Sequence, residues 1–240
     1  MQIRLDKLIA SAGLASRGEV RTLLRQGRVL VDGVPEKSGD RKLDPEAVRV
    51  TVDGRELAYA AHHYYMMYKP PGVLSATEDG AGPTVLELMG ETERRLGLFP
   101  VGRLDKDAEG LLLLTDDGDF CHRVISPKSG VEKTYYVETA APVPEAAPAA
   151  FATGLTLADG TRCRPAKLLL FGPGERRATV KLTEGKFHQV KRMMAAVGSP
   201  VTLLRRVAEG ALALDPALAP GEWRALTEAE REAVFGEIRA

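Results

Sequence analysis

The chain has 240 residues, of which 44% are hydrophobic and 28% are charged, a composition typical of a globular protein that buries a core. Its 33 basic residues balance 33 acidic ones, so the total charge argues weakly against nucleic-acid binding, although local clusters matter more than the sum. The sequence has no apolar run long enough to predict a transmembrane helix, and the charged N-terminus does not fit a secretory signal. Cys121 and Cys163 lack metal-ligand spacing, and we expect reduced thiols in a cytoplasmic protein.

The first 58 residues are predicted to form a small domain, with a linker near residues 56–62. Apolar residues at helical spacing predict a first helix that begins near residue 5 and ends at a glycine. Ser16 and Glu19 have the spacing of a capping box, which predicts that a second helix starts at Arg17. A short strand and a tight Asp-Gly turn should follow.

The second helix carries a stripe of arginines at spacings of four, four and three residues: Arg17, Arg21, Arg25 and Arg28. Together with Arg4 and Lys7 they make six basic residues against two acidic ones in the first 28. A solvated helix face is the ordinary interpretation of such a stripe. The functional interpretation is phosphate binding, because like charges at this spacing repel unless an anion relieves them.

Residues 62–240 alternate between strand and helix patterns, which predicts an α+β domain. Helices are predicted over 84–97, 186–198 and 228–238. The Pro/Ala-rich segment 142–150 is expected to be a connector, and Asp116-Asp117-Gly118 a hairpin turn.

An acidic loop precedes the most apolar strand, in the stretch GRLDKDAEGLLLLTDDG (102–118). Four consecutive leucines show no alternation, so both faces of this strand should be buried. The loop before it carries Asp105, Asp107 and Glu109. A nucleophilic carboxylate in such a place must stay ionised and therefore needs a nearby cation, for which the candidates are Arg103, Lys191 and Arg192.

Several roles fit this acidic loop when its residues are considered alone. Asp105 and Asp107 are also ordinary Asx-turn residues. Paired carboxylates occur in glycosidases and in divalent-metal sites as well. Arg103 and Lys106 interleave with the acids and argue against a metal, but the residue chemistry leaves these alternatives open.

Four stretches in this order give the chain a family resemblance: YKPPGV (68–73), GRLDKDAEGLLLLTDDG, EKTYYV (132–137) and EGKFHQVKRMMAAVG (184–198). They resemble the motifs of RNA pseudouridine synthases, and residues 1–58 resemble the alpha-L RNA-binding domain shared with a small-subunit ribosomal protein. The segments HQVKRM, AAVG and LAPGEWRALTEAE resemble the bacterial RsuA branch. This resemblance implies an α+β fold with a catalytic domain over residues 62–240, built on a mixed, mainly antiparallel sheet with flanking helices.

The same resemblance implies isomerisation of a uridine to pseudouridine in 16S small-subunit ribosomal RNA, at the 516-type site of this branch. The reaction breaks and re-forms a glycosidic bond without redox change, so we expect no cofactor and no metal. The expected partner is 16S ribosomal RNA or the assembling small subunit, with no membrane and a monomeric state. A synthase for 23S ribosomal RNA and a non-catalytic ribosome-assembly factor are the alternatives.

The resemblance also implies roles for particular residues. Asp105 occupies the position of the nucleophile, acting at the ribose C1′ or through a glycal. Tyr135 would stack on the flipped uracil and assist proton transfer at C5, while Lys191 would pair with Asp105. Arg103 and Arg192 would contact RNA phosphates. The family often has threonine or serine where this chain has Ala108, which places a hydrogen bond of the loop in question.

A charge reversal tests the arginine stripe. Replacing both Arg17 and Arg21 by glutamate should raise the apparent KM for RNA and flatten its salt dependence, because fewer phosphates are neutralised on binding. The chemical step should be nearly unchanged. RNA binding measured over a salt series checks this, and an affinity equal to that of the wild type would make the stripe a solvated face.

Overall fold

The computed structural model of the protein describes residues 2–78, 80, 82–126 and 128–236, without the side chain of Arg17. The chain divides into two units, Met1–His63 with Met89–Phe99, and Tyr64–Leu88 with Pro100–Ala240. Within the described residues, no helix has both the length and the apolar character needed to cross a bilayer.

The first unit packs three short helices and six short strands around a small core. Its elements are β1 (Ile3–Arg4), α1 (Leu5–Ser11), α2 (Arg17–Arg25), β2 (Val29–Val31), β3 (Val34–Pro35), β4 (Lys42–Leu43), β5 (Val50–Val52), β6 (Arg55–Glu56) and α3 (Glu91–Arg94). Leu5, Leu8 and Ile9 of α1 are buried in that core, as their helical spacing predicts. The capping box is also confirmed, because Ser16 accepts from the Glu19 amide while Glu19 accepts from the Ser16 amide.

The second unit contains the remaining strands and helices, with a 3-10 turn at Val85–Leu88. The strands are β7 (Tyr64–Lys69), β8 (Phe99–Pro100), β9 (Glu109–Thr115), β10 (Lys133–Thr139), β11 (Lys167–Leu170), β12 (Arg177–Leu182), β13 (Val201–Glu209), β14 (Leu212–Ala213) and β15 (Trp223–Ala225). The helices are α4 (Gly118–Ile125), α5 (Ala147–Thr153), α6 (Gln189–Ala196) and α7 (Glu228–Ala233).

A mixed sheet forms the frame of the second unit, with the strand order β11-β12-β10-β13-β9-β7-β15. The β9–β13 pair is parallel, and the neighbouring pairs along this order are antiparallel. The prediction of a mixed, mainly antiparallel sheet is therefore confirmed. Strand β9 lies between β7 and β13, so its leucines are buried on both faces, as the lack of alternation predicts.

Three local predictions are wrong. In each segment a glycine, aspartate or proline has a role in the fold that differs from the one its position in the sequence indicates. The helix expected over 84–97 is interrupted at Gly90, whose extended backbone forms the N-cap of α3. The hairpin turn expected at 116–118 is a helix start instead, since Asp117 accepts a hydrogen bond from the Phe120 amide and caps α4. The connector expected over 142–150 contains the start of α5, which tolerates a proline in its first turn.

Two further helices follow the sequence more closely. Helix α6 lies within the expected 186–198 segment, and Val190, Met193 and Met194 form its buried face. The last predicted helix, over 228–238, appears as α7, with residues 237 and 238 outside the described part of the chain.

Gly110 allows strand β9 to approach β13 at the point where the two run in parallel. Its φ of +106° lies in the region that favours glycine. A Cβ at this position would lie 2.3 Å from the Arg206 carbonyl oxygen and 2.8 Å from its amide nitrogen, closer than real Cβ contacts permit. Both neighbours are backbone atoms of a central strand, so the clash cannot be relieved by a side-chain rotation.

Replacing Gly110 by alanine should therefore lower the free energy of unfolding of this unit by roughly 3–5 kcal/mol. Gly118→Ala is the matched control, since no heavy atom lies within 4 Å of its added Cβ. That control should shift stability by no more than about 1 kcal/mol. Urea unfolding followed by the fluorescence of Trp223, the single tryptophan, checks both variants. Equal midpoints for Gly110→Ala and the wild type would contradict the argument.

Candidate active site

Asp105 lies on a loop whose backbone is held by the segment that follows β7. Ser75 brackets Leu104, because its hydroxyl donates to the Leu104 carbonyl at 3.0 Å and accepts from the Leu104 amide at 3.1 Å. The amide of Gly72 donates to the Lys106 carbonyl at 2.7 Å. The stretch YKPPGV and the serine after it thus form the support of the acidic loop.

Lys69 supplies the innermost part of this support. Its side chain is fully buried, and its Nζ donates to the carbonyl oxygens of Ala108 at 2.7 Å, Pro70 at 3.0 Å and Lys106 at 3.3 Å. Burial lowers the pKa of Lys69 to about 8, although nearby carboxylates, Asp107 and Asp105 first, oppose that shift. A buried ammonium group thus ties the end of β7 to the part of the loop that follows Asp105.

Lys191 of α6 brings a second cation to the loop. Its Nζ lies 3.0 Å from Oδ2 of Asp105 and 2.5 Å from Oδ1 of Asp107. Burial opposes the charge of Lys191, but the hydrogen bonds to Asp107 and Asp105 raise its pKa overall. The hydrogen bond from Lys191 in turn lowers the pKa of Asp107. Of the three cations that the sequence suggests for Asp105, Lys191 is the one in this contact.

His188 faces the same carboxylate at the start of α6. Its Nε2 lies 3.6 Å from Oδ1 of Asp105. The side chain of Asp105 is 23% exposed, so the carboxylate is accessible without pointing freely into solvent. Asp107 is far more open, with a side-chain exposure of 76%.

Tyr135 lines the same cleft as Asp105, together with Arg103 and His188. It is buried on strand β10, where its register partners are Val180 and Arg206. Burial raises the pKa of the Tyr135 phenol, and the charge of nearby Arg206 only partly offsets this. The hydroxyl therefore stays protonated at neutral pH.

Next to Tyr135, its register partner Arg206 belongs to a buried group of charges that the sequence analysis does not predict. Arg206 is 1% exposed and donates from Nε to the Leu111 carbonyl at 2.7 Å. The carboxylate of fully buried Glu209 lies 3.9 Å from Arg206 and 3.8 Å from Lys133. Removing one member would leave an uncompensated buried charge, which is strongly destabilising. One signal in the sequence could have indicated this charge. Arg206 lies two residues from both Leu204 and Ala208, and residues two apart on a strand point to the same face of the sheet.

The two arginines predicted to meet RNA beside the catalytic cleft differ in their surroundings. Arg103 is exposed and lines the cleft next to Asp105. Arg192 is partly buried, forms an ion pair with Asp159 at 2.5 Å and donates to the Phe187 carbonyl at 3.3 Å. Their RNA contacts remain predictions.

The basic residues of the first unit do not all form one stripe. Arg21 and Arg25 lie exposed on α2, and Lys7 is on α1. Arg28 lies beyond the end of α2 and pairs with Asp53 through two hydrogen bonds of 2.5 and 2.6 Å, so the expected four-arginine helix face is wrong at this member. Its sequence spacing continues the helix, but the chain turns into β2 after Gly27.

Arg4 and Arg17 are the remaining basic residues predicted to contact RNA in this unit. Arg4 precedes α1 and pairs with Asp6 and Asp40. The side chain of Arg17 lies outside the described part of the structure.

The described residues contain no group of three or more histidine, cysteine or acidic side chains arranged to hold a metal ion. Cys121 and Cys163 are free thiols. In the loop, the side chain of Ala108 is fully buried, and its amide donates to the Asp105 carbonyl at 3.1 Å. A backbone hydrogen bond therefore closes the turn at the position where the family often has a hydroxyl.

Comparison with known proteins agrees with this geometry. The family model for RNA pseudouridylate synthase matches residues 63–196, and that for the S4 domain matches residues 3–48. An uncharacterized RNA pseudouridine synthase of Bacillus subtilis, YtzG, is 46% identical over 95% of this chain and 96% of its own. Ribosomal small subunit pseudouridine synthase A of Escherichia coli is 42% identical over 95% of this chain and 98% of its own.

A solved pseudouridylate synthase structure has the same architecture. It superimposes with a TM-score of 0.68 at 37% identity, over 97% of this chain and 99% of the other. The chain therefore belongs to the RNA pseudouridylate synthase family and is an RNA pseudouridine synthase with an N-terminal S4 domain.

The depressed pKa of Lys69 predicts a pH-dependent stability. In the unfolded chain the lysine stays protonated up to its ordinary pKa of 10.5, whereas in the fold it loses its proton near pH 8. Between these values the unfolded state binds more protons, so the free energy of unfolding contributed by this group rises with pH. The stability of the wild type relative to Lys69→Met should therefore increase by about 2–3 kcal/mol between pH 7 and pH 10.

Urea unfolding at the two pH values measures this difference, with Lys167→Met, an exposed lysine on β11, as the control for loss of one ammonium group. The control should show no such increase. A constant gap between the wild type and Lys69→Met at both pH values would contradict the buried-ammonium argument.

Proposed function

We propose that this enzyme converts one uridine of 16S small-subunit ribosomal RNA to pseudouridine, at the 516-type site, with Asp105 as the nucleophile. The names of the Escherichia coli and Vibrio cholerae relatives, which are 42% and 43% identical, support the small-subunit target. The contact of 3.0 Å between Asp105 and Lys191, beside Tyr135 in one cleft, supports the nucleophile. In this proposal residues 1–58 are the RNA-binding domain and residues 62–240 the catalytic domain.

The reaction that Asp105 would start is an isomerisation, so its atoms must balance without an added reactant. The carboxylate either attacks the ribose C1′ or removes the 2′ proton to form a glycal. In both routes the electrons of the N1–C1′ bond leave with the uracil. The uracil then turns, and C5 bonds to C1′ as the Asp105–C1′ ester bond breaks or, in the glycal route, as C2′ regains the proton held by Asp105. C5 then loses its proton and N1 gains one.

Lys191 would hold Asp105 in position for this step. Its contacts with both Asp105 and Asp107 restrict the loop in addition to those of Lys69. A preorganised cation also stabilises the charge of the carboxylate after the covalent or glycal intermediate breaks down. Lys191 is therefore a positioning and electrostatic residue in this proposal.

Tyr135 would provide the surface on which the flipped uracil stacks. Base stacking on an aromatic ring is worth about 1–3 kcal/mol, which helps to offset the cost of removing the uridine from its stack. Because burial raises the pKa of the phenol, its hydroxyl is better suited to donate a hydrogen bond than to accept the C5 proton as a free base. Arg103 and Arg192 would hold the neighbouring phosphates.

The proposal extends to the cofactor, the oligomeric state, the location and the form of the substrate. We expect no cofactor, a monomeric enzyme and a cytoplasmic location. The substrate is proposed to be either free 16S ribosomal RNA or the assembling small subunit.

Replacing Asp105 by asparagine tests the nucleophile. This variant should lose several orders of magnitude in kcat, because an amide can neither form the ester nor take the proton. Asp107→Asn is the matched control, since Asp107 contacts the same lysine but is 76% exposed, and its rate should stay within about tenfold of the wild type. Release of tritium from C5-labelled uridine gives the rate, and carbodiimide-blocked reverse transcription gives the position.

The choice of RNA decides between the proposed function and its alternatives. Purified 16S and 23S ribosomal RNA and their precursor particles are assayed separately with the wild-type enzyme. Conversion in 23S RNA alone would replace the small-subunit target. Tight RNA binding without tritium release from any of these substrates would indicate an assembly factor, and a fully active Asp105→Asn variant would remove Asp105 from the mechanism.

A further inference from the structure

An exposed aromatic pair stands at the edge of the catalytic cleft. Phe187 is 77% exposed, the largest value among the exposed large hydrophobic residues of the described chain. One face of its ring is covered by His188, with ring centroids 3.8 Å apart and an interplanar angle of 19°. Aromatic pairs in proteins more often meet edge to face or offset at 4.5–7 Å, so this close parallel stack is unusual. The other face of Phe187 is left open to solvent.

The backbone that presents this pair is strained and firmly held. His188 has φ 48° and ψ 36°, a left-handed conformation that costs a residue with a side chain roughly 1–2 kcal/mol. Such strain persists where surrounding contacts enforce it. Buried Gln189 accepts from the Lys186 amide at 2.9 Å and donates to Glu184, while Arg192 donates to the Phe187 carbonyl at 3.3 Å. The pair is therefore a preorganised feature of the loop before α6.

The pair lies beside the proposed nucleophile, which His188 faces with the edge of its ring. His188 Nε2 lies 3.6 Å from Asp105, and Phe187 lies one ring spacing beyond His188. That spacing of 3.8 Å is close to the separation of about 3.4 Å between successive bases in a strand. A base on the open face of Phe187 would lie two ring spacings, about 7 Å, from the His188 ring that faces Asp105, a distance that one neighbouring nucleotide can span.

Basic residues surround the groove next to this platform. The groove has a volume of about 650 Å³, and its lining includes Arg162, Arg164, Lys186 and one acidic residue, Glu184. Lys186 donates to the Arg162 carbonyl and lies 3.7 Å from Glu184, an ion pair that a bound phosphate would compete with. This is the combination by which proteins bind single-stranded nucleic acid, in which aromatic faces stack on bases and a positive groove follows the backbone.

We propose that Phe187 and His188 form a stacking platform for an unpaired base adjacent to the target uridine, with the connecting phosphates in the groove of Arg162, Arg164 and Lys186. The platform rests on the proposed function, because it takes the neighbour of the uridine that Asp105 attacks. It captures one flanking nucleotide after the target leaves the stack, so it favours the flipped state and selects a single-stranded or bulged site. Stacking accepts any base, so this contact adds affinity more than sequence readout.

The test uses the full-length enzyme and an RNA fragment that contains the uridine converted by the wild type. Phe187→Ala should lower kcat/KM by roughly ten- to a hundredfold, mainly through KM, because a stacked base loses its partner. Phe187→Trp keeps a flat aromatic face and should stay within about threefold of the wild type. Phe171→Ala, which removes another exposed phenylalanine (58% exposed) that does not line the groove, should leave kcat/KM unchanged.

Abasic nucleotides identify the base that stacks. An abasic residue placed at the correct neighbour of the target should cost the wild type the same factor that Phe187→Ala costs on intact RNA. The Phe187→Ala variant should lose nothing further on the abasic RNA, because the same contact is already absent. Equal kcat/KM for Phe187→Ala and the wild type would overturn the platform. The platform would also be overturned if Phe187→Ala lowered kcat/KM by the same factor on intact RNA and on RNA that is abasic at either neighbour of the target.

RNA affinity separates this inference from the proposed function. Fluorescence anisotropy of the labelled fragment needs no turnover, and Phe187→Ala should bind it roughly ten- to a hundredfold more weakly. Equal affinities with normal conversion by the wild type would reject the platform alone. Weaker binding by Phe187→Ala, with no conversion of any uridine by the wild type, would reject the proposed function and leave the stacking contact in place.

Discussion

The buried ammonium of Lys69 is the interaction on which the catalytic cleft depends. It joins the carbonyls of Pro70, Lys106 and Ala108, and so connects the end of β7 to the part of the loop that follows Asp105. Burying a charge is unfavourable, which is why the pKa of Lys69 falls to about 8. Three carbonyl acceptors, one after β7 and two in the loop, compensate for that cost. A hydrophobic residue of similar length would remove this side-chain donor from the Pro70 and Ala108 carbonyls, whereas the Lys106 carbonyl would keep its hydrogen bond from the Gly72 amide.

The sheet explains how residues far apart in the sequence reach this loop. Strand β9 begins beside Asp105 and pairs with both β7 and β13. Gly110 permits the parallel contact with β13, which places Arg206 beneath Tyr135 and next to Leu111. Helix α6, which begins after the strained His188, then reaches the loop with Lys191. The geometry of Asp105 therefore depends on backbone contacts at several removed positions.

Zero net charge is compatible with RNA binding because the basic residues are grouped. Exposed arginines lie on α2, and a second group surrounds the groove beside Phe187. Phosphates respond to charges within about 10 Å, so each group acts locally whatever the total. The platform adds a contact of a different kind, because stacking depends on the flat face of a base and is less sensitive to salt than ion pairs are.

The sequence by itself determined the element types with strong periodicity and the resemblance to RNA pseudouridine synthases with a small RNA-binding domain. It also proposed Asp105, Tyr135 and Lys191 as site residues, and their roles remain predictions. Single-residue signals were less informative: Asp117 fits a turn or a helix cap equally well, Gly90 interrupts a helical pattern, and Arg28 continues a helical spacing after the helix has ended. Only the tertiary structure decided that Lys191 meets both Asp105 and Asp107, that Lys69 supports the loop, and that Arg206 and Glu209 lie buried together. The physical reason is that local patterns record the preferences of neighbouring residues, whereas a buried charge is positioned by partners that lie tens of residues away in the chain.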